Sequence, residues 1–217
     1  MAWPLLAQVP MAAASIRAVL CVLWLSAIGV GTAILVNYQS ASGDMGTTRE
    51  SWPAELAVPF PRESATLVMF AHPKCPCTRA TMEELNRLLA RCVQPLATHI
   101  FFLTPGDAST NWSQTDLYRS ASALPGVEVH HDWDGALAAQ FGAKTSGSVF
   151  LYDRQGELLF RGGITASRGH AGDNAGASSI VSLLAGKENG LRQTPVYGCS
   201  LGNGCVSKTN ERISWSK

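Results

Sequence analysis

The pattern of hydrophobic and polar positions changes character twice along this 217-residue chain. From Ala18 to Val36 (AVLCVLWLSAIGVGTAILV) there is no charged residue. Nineteen residues at ~1.5 Å rise extend about 28 Å, close to the ~30 Å hydrocarbon core of a bilayer. A buried helix of a soluble domain is rarely so apolar over that length, so the pattern predicts one transmembrane anchor over residues 18–37. A cleaved secretory signal is the alternative, with Ser40-Ala41-Ser42 as its small-residue site. An h-region normally runs only ~7–15 residues, and the length favours an uncleaved anchor. Residues 38–61 follow as a polar, proline-punctuated linker. A folded domain is expected over 62–190 and a cysteine-containing tail over 191–217.

From Ala65 onward the pattern is that of an α/β domain. Thr66–Ala71 is a continuous apolar run of strand length, as expected for a strand buried on both faces. A helix is predicted from Thr78 to about Arg91, where Met82, Leu85, Leu89 and Cys92 recur at helical spacing. Thr98–Leu103 reads as a second strand, Gln114–Ala123 as a helix, and the alternating Val127–His130 as a short strand. Asp134–Phe141 ends at Gly142, a common helix stop. Ser148–Tyr152 and Glu157–Phe160 form a hairpin through Asp153-Arg-Gln-Gly156, and a last helix spans Ala177–Ala185 after a glycine-rich loop. This order predicts a central mixed sheet with helices on both faces.

Charge adds orientation and excludes one class of partner. Arg17 precedes the apolar run and the next ionised residue after it is Asp44. The positive-inside tendency then puts residues 1–17 in the cytoplasm as a short stub. The chain reads as a single-pass protein of the inner membrane, with its domain in the periplasm or extracytoplasmic space. A net charge of +1 supplies no basic field, so nucleic acid is not an expected partner. Outside the anchor, which holds Cys21, five cysteines remain: Cys75, Cys77, Cys92, Cys199 and Cys205. In an oxidising compartment an odd count points to a working thiol.

Cys75 is the informative one. It follows a buried strand and precedes an amphipathic helix, where the partial positive charge of the helix N-terminus favours a thiolate. Lys74 stands ready to add to that effect, and the sulfur is expected to be exposed at the helix head. A structural cysteine has no need of such a place.

The segment FAHPKCPCTRATMEEL resembles the active-site segment of the thioredoxin superfamily, and FGAKTSGSVFLYDRQGELLFRGGI resembles its later strand-hairpin half. CPCTRA, the SRGHAGDNAG loop and the TPVYGCSL tail are similar to the RedB-like redoxins, a group of bacterial membrane-anchored proteins. The resemblance covers roughly residues 60 to 201. It implies a thioredoxin-like three-layer fold around the mixed sheet and thiol–disulfide exchange with protein thiols or disulfides, with no cofactor. Thioredoxins carry an apolar helix position ten residues past the attacking cysteine, and Leu85 fits that count from Cys75. In this register Cys75 attacks, Thr78 stands at the usual resolving position, and Cys77 falls between them. A second departure is Gly147, which stands where the family usually has a cis-proline. Glycine does not lock that bond, and the space so opened could admit a metal or a bulkier ligand.

The partner of Cys75 stays open among several thiols. Along one helix Cys92 lies roughly 20 Å away, whereas a disulfide needs Cα atoms within ~7 Å; Cys92 reads as a buried, inert thiol. Cys77 ranks first and Cys199 second. A Cys75–Cys77 bridge would be strained and easily reduced, as suits a catalytic disulfide. Cys199 and Cys205 in GCSLGNGC fold back to the site or bridge each other. A second reading makes His72, Cys75 and Cys77 a copper-binding or copper-delivery site, since such soft ligands suit Cu(I). A third, suggested by Cys-x-x-Thr, is a thiol peroxidase. His130 and His131 point to opposite faces of a strand and do not share a metal. Arg168, His170, Asp173 and Asn174 crowd the glycine-rich loop, where Asp173 or Asn174 caps the last helix or the loop docks a partner. Trp112 and Trp133 read as packing or surface aromatics.

Overall fold

The computed structural model describes residues 11–53, 60, 62–107, 112, 114–187 and 189–202. Cys205 and the rest of the chain beyond residue 202 lie outside the described residues. Two units are present, the first ending at Ser40 and the second beginning at Ala41. In the first, α1 (Met11–Ser40) is one continuous helix that contains the expected anchor. Its stretch from Ser15 to Ser40 is long and apolar enough to cross a membrane, and its large apolar side chains are exposed.

The second unit is built on five strands. They are β1 (Ala65–Ala71), β2 (Leu96–Thr104), β3 (Val127–Trp133), β4 (Ser148–Tyr152) and β5 (Leu158–Gly162). Their helices are α2 (Thr78–Arg91), α3 (Asp116–Ser122), α4 (Ala136–Phe141) and α5 (Ala175–Leu184). The sheet order is β3-β2-β1-β4-β5. β1 pairs in parallel with β2, and β2 with β3, whereas β4 runs antiparallel to both β1 and β5. The mixed sheet expected from the sequence is therefore present.

Alternation along the strands divides the core into two layers, because successive side chains point to opposite faces. Leu67, Met69, Ile100, Phe102, Val149 and Leu151 meet Leu85 and Leu88 of α2, Leu117 of α3 and Ile180 of α5. On the other face Val68, Phe70, Phe101 and Phe150 meet Ala138 and Phe141 of α4. Leu88 is fully buried while Leu89 and Cys92 are only partly so, which turns the α2 stripe slightly from the spacing read in the sequence. α4 begins and ends on left-handed glycines, Gly135 and Gly142. α5 is capped by Asn174, whose Oδ1 accepts from the Ala177 N–H at 2.8 Å, as one of the two sequence readings of that loop had it.

The stretch expected as a linker is largely part of the domain. Gly43 N–H donates to Val196 O, Gly46 N–H to Gly142 O, and Trp52 N–H to Gly156 O. Leu158 N–H returns a bond to Glu50 O at 2.7 Å, and Ser51 bridges Glu157. The reason is Trp52. Its indole packs against Phe60, Phe141 and Tyr152 with ring centroids 5.0, 5.6 and 5.3 Å away, and such aromatic pairs add to simple burial. A polar, proline-marked composition hid one aromatic anchor. Trp52→Ala is expected to destabilise the domain by about 2–3 kcal/mol, below a fully buried tryptophan because the site is half-buried. A shift of the denaturant midpoint at unchanged slope, followed by circular dichroism, checks this.

Candidate active site

The site forms where β1 ends and α2 begins. The chain leaves the sheet at Ala71 and turns through His72-Pro-Lys-Cys75, with the Cys75 N–H donating to His72 O at 3.0 Å. Thr78, the first residue of α2, has its N–H on Cys75 O at 3.3 Å. Facing this turn is the loop before β4. Ser146 Oγ accepts the His72 N–H at 2.7 Å and shares a hydrogen bond with Thr78 Oγ1 at 2.7 Å. Gly147, at φ +92°, sends its N–H to Phe70 O, and no peptide bond here is cis. Its left-handed backbone is one that a side chain would strain.

The space beside Gly147 is not open. The tail runs along β5, with Thr194 N–H donating to Arg161 O and Gly163 N–H to Pro195 O, and then crosses the loop before β4. There Ser146 N–H donates to Cys199 O at 2.8 Å, Leu201 N–H donates to Lys144 O, and Thr145 bridges Ser200. Gly198 approaches so closely that a Cβ there would lie 1.9 Å from Ser146 O. Thr81 fills the space at Gly147, where a Cβ would lie 3.1 Å from Thr81 Oγ1, and the tail lies against the neighbouring Thr145 and Ser146.

This crossing brings Cys199 Sγ to 3.1 Å from Cys75 Sγ. It also overturns the expectation of an exposed sulfur: Cys75 is only 3% exposed. Burial by itself raises the Cys75 pKa, yet hydrogen bonds from the side chains and backbones of Thr78 and Cys199 outweigh it and leave the thiol below its ordinary value. The Thr78 hydroxyl contributes more than its backbone N–H, and only the latter is the helix-terminus effect in atomic form. Lys74 is not what lowers it; its ammonium sits 3.4 Å from the centroid of the Trp112 ring. Trp112 is thus a cation platform.

Cys77 has the opposite character. Burial, then the negative charge of Cys75, push its thiol upward, while Arg168 opposes them. Arg168 also donates to Gly198 O and to Ala41 O, so the glycine-rich loop stands beside the cysteines after all. That loop is anchored to α2 through buried Glu84, which accepts from Gly172 N–H at 2.7 Å and Asn174 Nδ2 at 3.1 Å. Cys92 is half-buried at the far end of α2, its thiol raised by burial. His72 is buried and lowered by burial, then by Lys74, and its Nδ1 accepts the Lys74 N–H at 3.1 Å. His72, Cys75 and Cys77 do not bring three ligand atoms within 4.8 Å of one another; among the described residues the group that does is His99, Glu128 and His130.

Strand order, a strand-to-helix cysteine and a facing loop define the class: this is a thioredoxin-fold protein. No protein-family model matches the chain, and no curated protein matches it. Among solved structures it is similar to a hypothetical protein from Sinorhizobium meliloti 1021, at 22% identity over 75% of this chain and 96% of that one, with a TM-score of 0.54. It is similar also to an uncharacterized conserved protein from Geobacillus kaustophilus, at 20% identity over 75% and 92%, with a TM-score of 0.53. A secreted disulfide oxidoreductase from Mycobacterium tuberculosis follows at 14% identity over 57% and 81%, with a TM-score of 0.40.

Because the thiolate is the reactive form, alkylation of Cys75 speeds up as pH rises through its pKa. With that pKa depressed, the folded chain is expected to reach half-maximal rate at a lower pH than the same chain in denaturant. The Cys77 midpoint moves the other way. Thr78→Val is expected to shift the Cys75 midpoint upward, read by mass spectrometry of alkylated peptides.

Proposed function

We propose that this chain is a membrane-tethered, extracytoplasmic thiol–disulfide oxidoreductase in which Cys75 attacks and Cys199 resolves. The carrying observation is the 3.1 Å approach of the two sulfurs, with Cys75 held below the ordinary thiol pKa. This reverses the order drawn from the sequence, which set Cys77 ahead of Cys199. A raised, protonated Cys77 is the poorer nucleophile while Cys75 is ionised. Three separated segments that resemble RedB-like redoxins each contribute here: Cys75 and Cys77 from CPCTRA, Arg168 from the glycine-rich loop, and Cys199 from the tail. Their convergence supports that subgroup.

In this reaction the Cys75 thiolate attacks one sulfur of a protein disulfide. The substrate's other sulfur leaves as a thiolate and takes up a proton. Cys199 loses its proton and attacks Cys75 Sγ, expelling the second substrate thiol. The chain is left with a Cys75–Cys199 disulfide, and two electrons have passed to the substrate. A dithiol partner must return those electrons; the reverse sequence makes the chain an oxidant. A groove of about 370 Å³, lined by Pro73, Lys74, Cys75 and Arg79 together with Thr115 and Asp116, borders the attacking sulfur and is the approach for the substrate. Thr78 and Ser146 act as positioning residues, since Thr78 bonds to the thiolate and Ser146 holds both Thr78 and Cys199. The copper reading is weaker, because the His72 Nδ1 lone pair is already taken by the Lys74 N–H.

Cys75→Ser is expected to abolish reduction of a model protein disulfide. Cys199→Ser should still attack but accumulate a mixed disulfide at Cys75, seen as a shifted band under non-reducing conditions. Cys77→Ser is expected to keep turnover within about threefold, because it takes no part in the exchange. Retained activity in Cys75→Ser would end this assignment; mixed-disulfide trapping by Cys77→Ser, and not by Cys199→Ser, would restore Cys77 as the resolving thiol.

A further inference from the structure

On edge strand β3 and its neighbour β2, level with Val68 to Phe70 of β1, two histidines and a glutamate meet on one face of the sheet. His99 of β2 is the direct register partner of Glu128 on β3. His130 lies two residues further along β3, so the period of two returns it to the same face. That is the face of Phe101, on whose ring His130 stacks with centroids 4.9 Å apart. His131, one residue on, faces the other layer and stacks on Tyr118. The histidine that complements His130 is thus its neighbour across the strands, not its neighbour in sequence.

Three potential ligand atoms converge. His99 Nδ1 lies 3.1 Å from His130 Nε2 and 3.6 Å from Glu128 Oε2, and His130 Nε2 is 3.7 Å from the same carboxylate oxygen. Around a four-coordinate ion with bonds of ~2.0–2.2 Å, neighbouring ligands are separated by roughly 3.3–3.6 Å. The three observed separations bracket that figure, so one ion can touch all three atoms with only small side-chain adjustment. We propose that His99, Glu128 and His130 form a binding site for a divalent cation of the zinc type, with its fourth position open to water.

The donor set supports that class. Two imidazoles and one carboxylate suit zinc and its borderline neighbours better than calcium or magnesium, which prefer oxygen ligands throughout. The fourth position faces solvent, because the Glu128 side chain is 70% exposed while the imidazole of His99 forms the floor. Burial lowers the pKa of both histidines, with Glu128 opposing, and the hydrogen bond between His99 Nδ1 and His130 Nε2 gives way to the ion through a change of tautomer in the donating ring. His99 is only 5% exposed and its Nε2 has no partner among the described residues. The desolvation of that ring is therefore offset only by what Nδ1 meets, and a cation is the strongest partner available there. Ligating histidines normally donate their other N–H to an acceptor, and lacking one weakens a site by about 10–100-fold. A moderate affinity follows. The ion would link edge strand β3 to β2, and its binding would stabilise the domain by mass action.

The test uses the full chain in detergent micelles with its thiols blocked by N-ethylmaleimide, so that no cysteine competes for metal. Titration with Zn²⁺ by calorimetry is expected to give one ion per chain and a rise in melting temperature. His130→Ala is expected to weaken binding at least about tenfold and to remove the thermal shift; Glu128→Gln should weaken it less. Glu128 is exposed and His130 is half-buried on Phe101 at the edge strand, so neither variant empties the core, and unchanged circular dichroism confirms their fold. No stoichiometric binding by the thiol-blocked chain, or binding undiminished in both variants, overturns the proposal. The cysteine chemistry is untouched by either result.

Discussion

The working end of this molecule hangs on a few backbone hydrogen bonds between the loop before β4 and the tail. Ser146 N–H donates to Cys199 O and Leu201 N–H to Lys144 O, with the Thr145–Ser200 bridge between them. These bonds fix where the tail crosses that loop, and so bring one sulfur beside the other. The loop can take this partner because residue 147 is glycine, whose positive φ turns the chain at β4 without a clash. It needs this partner because a buried Ser146 N–H without an acceptor would cost about 1–3 kcal/mol.

Burial and ionisation pull against each other at Cys75, and the balance explains the architecture around it. A sulfur 3% exposed would be a poor thiolate if nothing answered its desolvation. Two groups answer it, Thr78 and Cys199, each through side chain and backbone. Both depend on Ser146, which shares a hydrogen bond with Thr78 Oγ1 and donates to Cys199 O. The tail is accordingly two things at once. It is the cover that removes water from Cys75, and it is a source of the hydrogen bonds that make a dry thiolate tolerable.

How much of this the sequence discloses depends on the range of each interaction. Period and run length fixed β1, α2 and β4 to within a residue or so, because those signals are local: an apolar run, a helical stripe and a strand before a turn. Cys75 was legible for the same reason, since its place between β1 and α2 is a matter of neighbours along the chain. The docking of Trp52, Arg168 and Cys199 was not. Each is brought home by residues far away in sequence: Tyr152 for Trp52, Cys77 for Arg168, Cys75 for Cys199. Composition read the first as linker, the second as loop and the third as a second choice.

The histidine cluster makes the same point from the other direction. Alternation at Val127–His130 implies that Glu128 and His130 share a face, so two of the three ligands follow from one strand's pleat. The third depends on register. A slip of one residue between β2 and β3 would carry His99 to the opposite face and replace it with Thr98 or Ile100. Register here is set by apolar packing, since Ile100 and Phe102 must face α2 and α3 while Phe101 faces α4. The same pleat that fills the core therefore assembles three ligand atoms, as a by-product of satisfying hydrophobic residues on either side of them. The sulfur pair and the histidine–glutamate group thus both rest on pairings that only the folded chain creates, one made by the crossing of a tail and one by the alignment of two parallel strands.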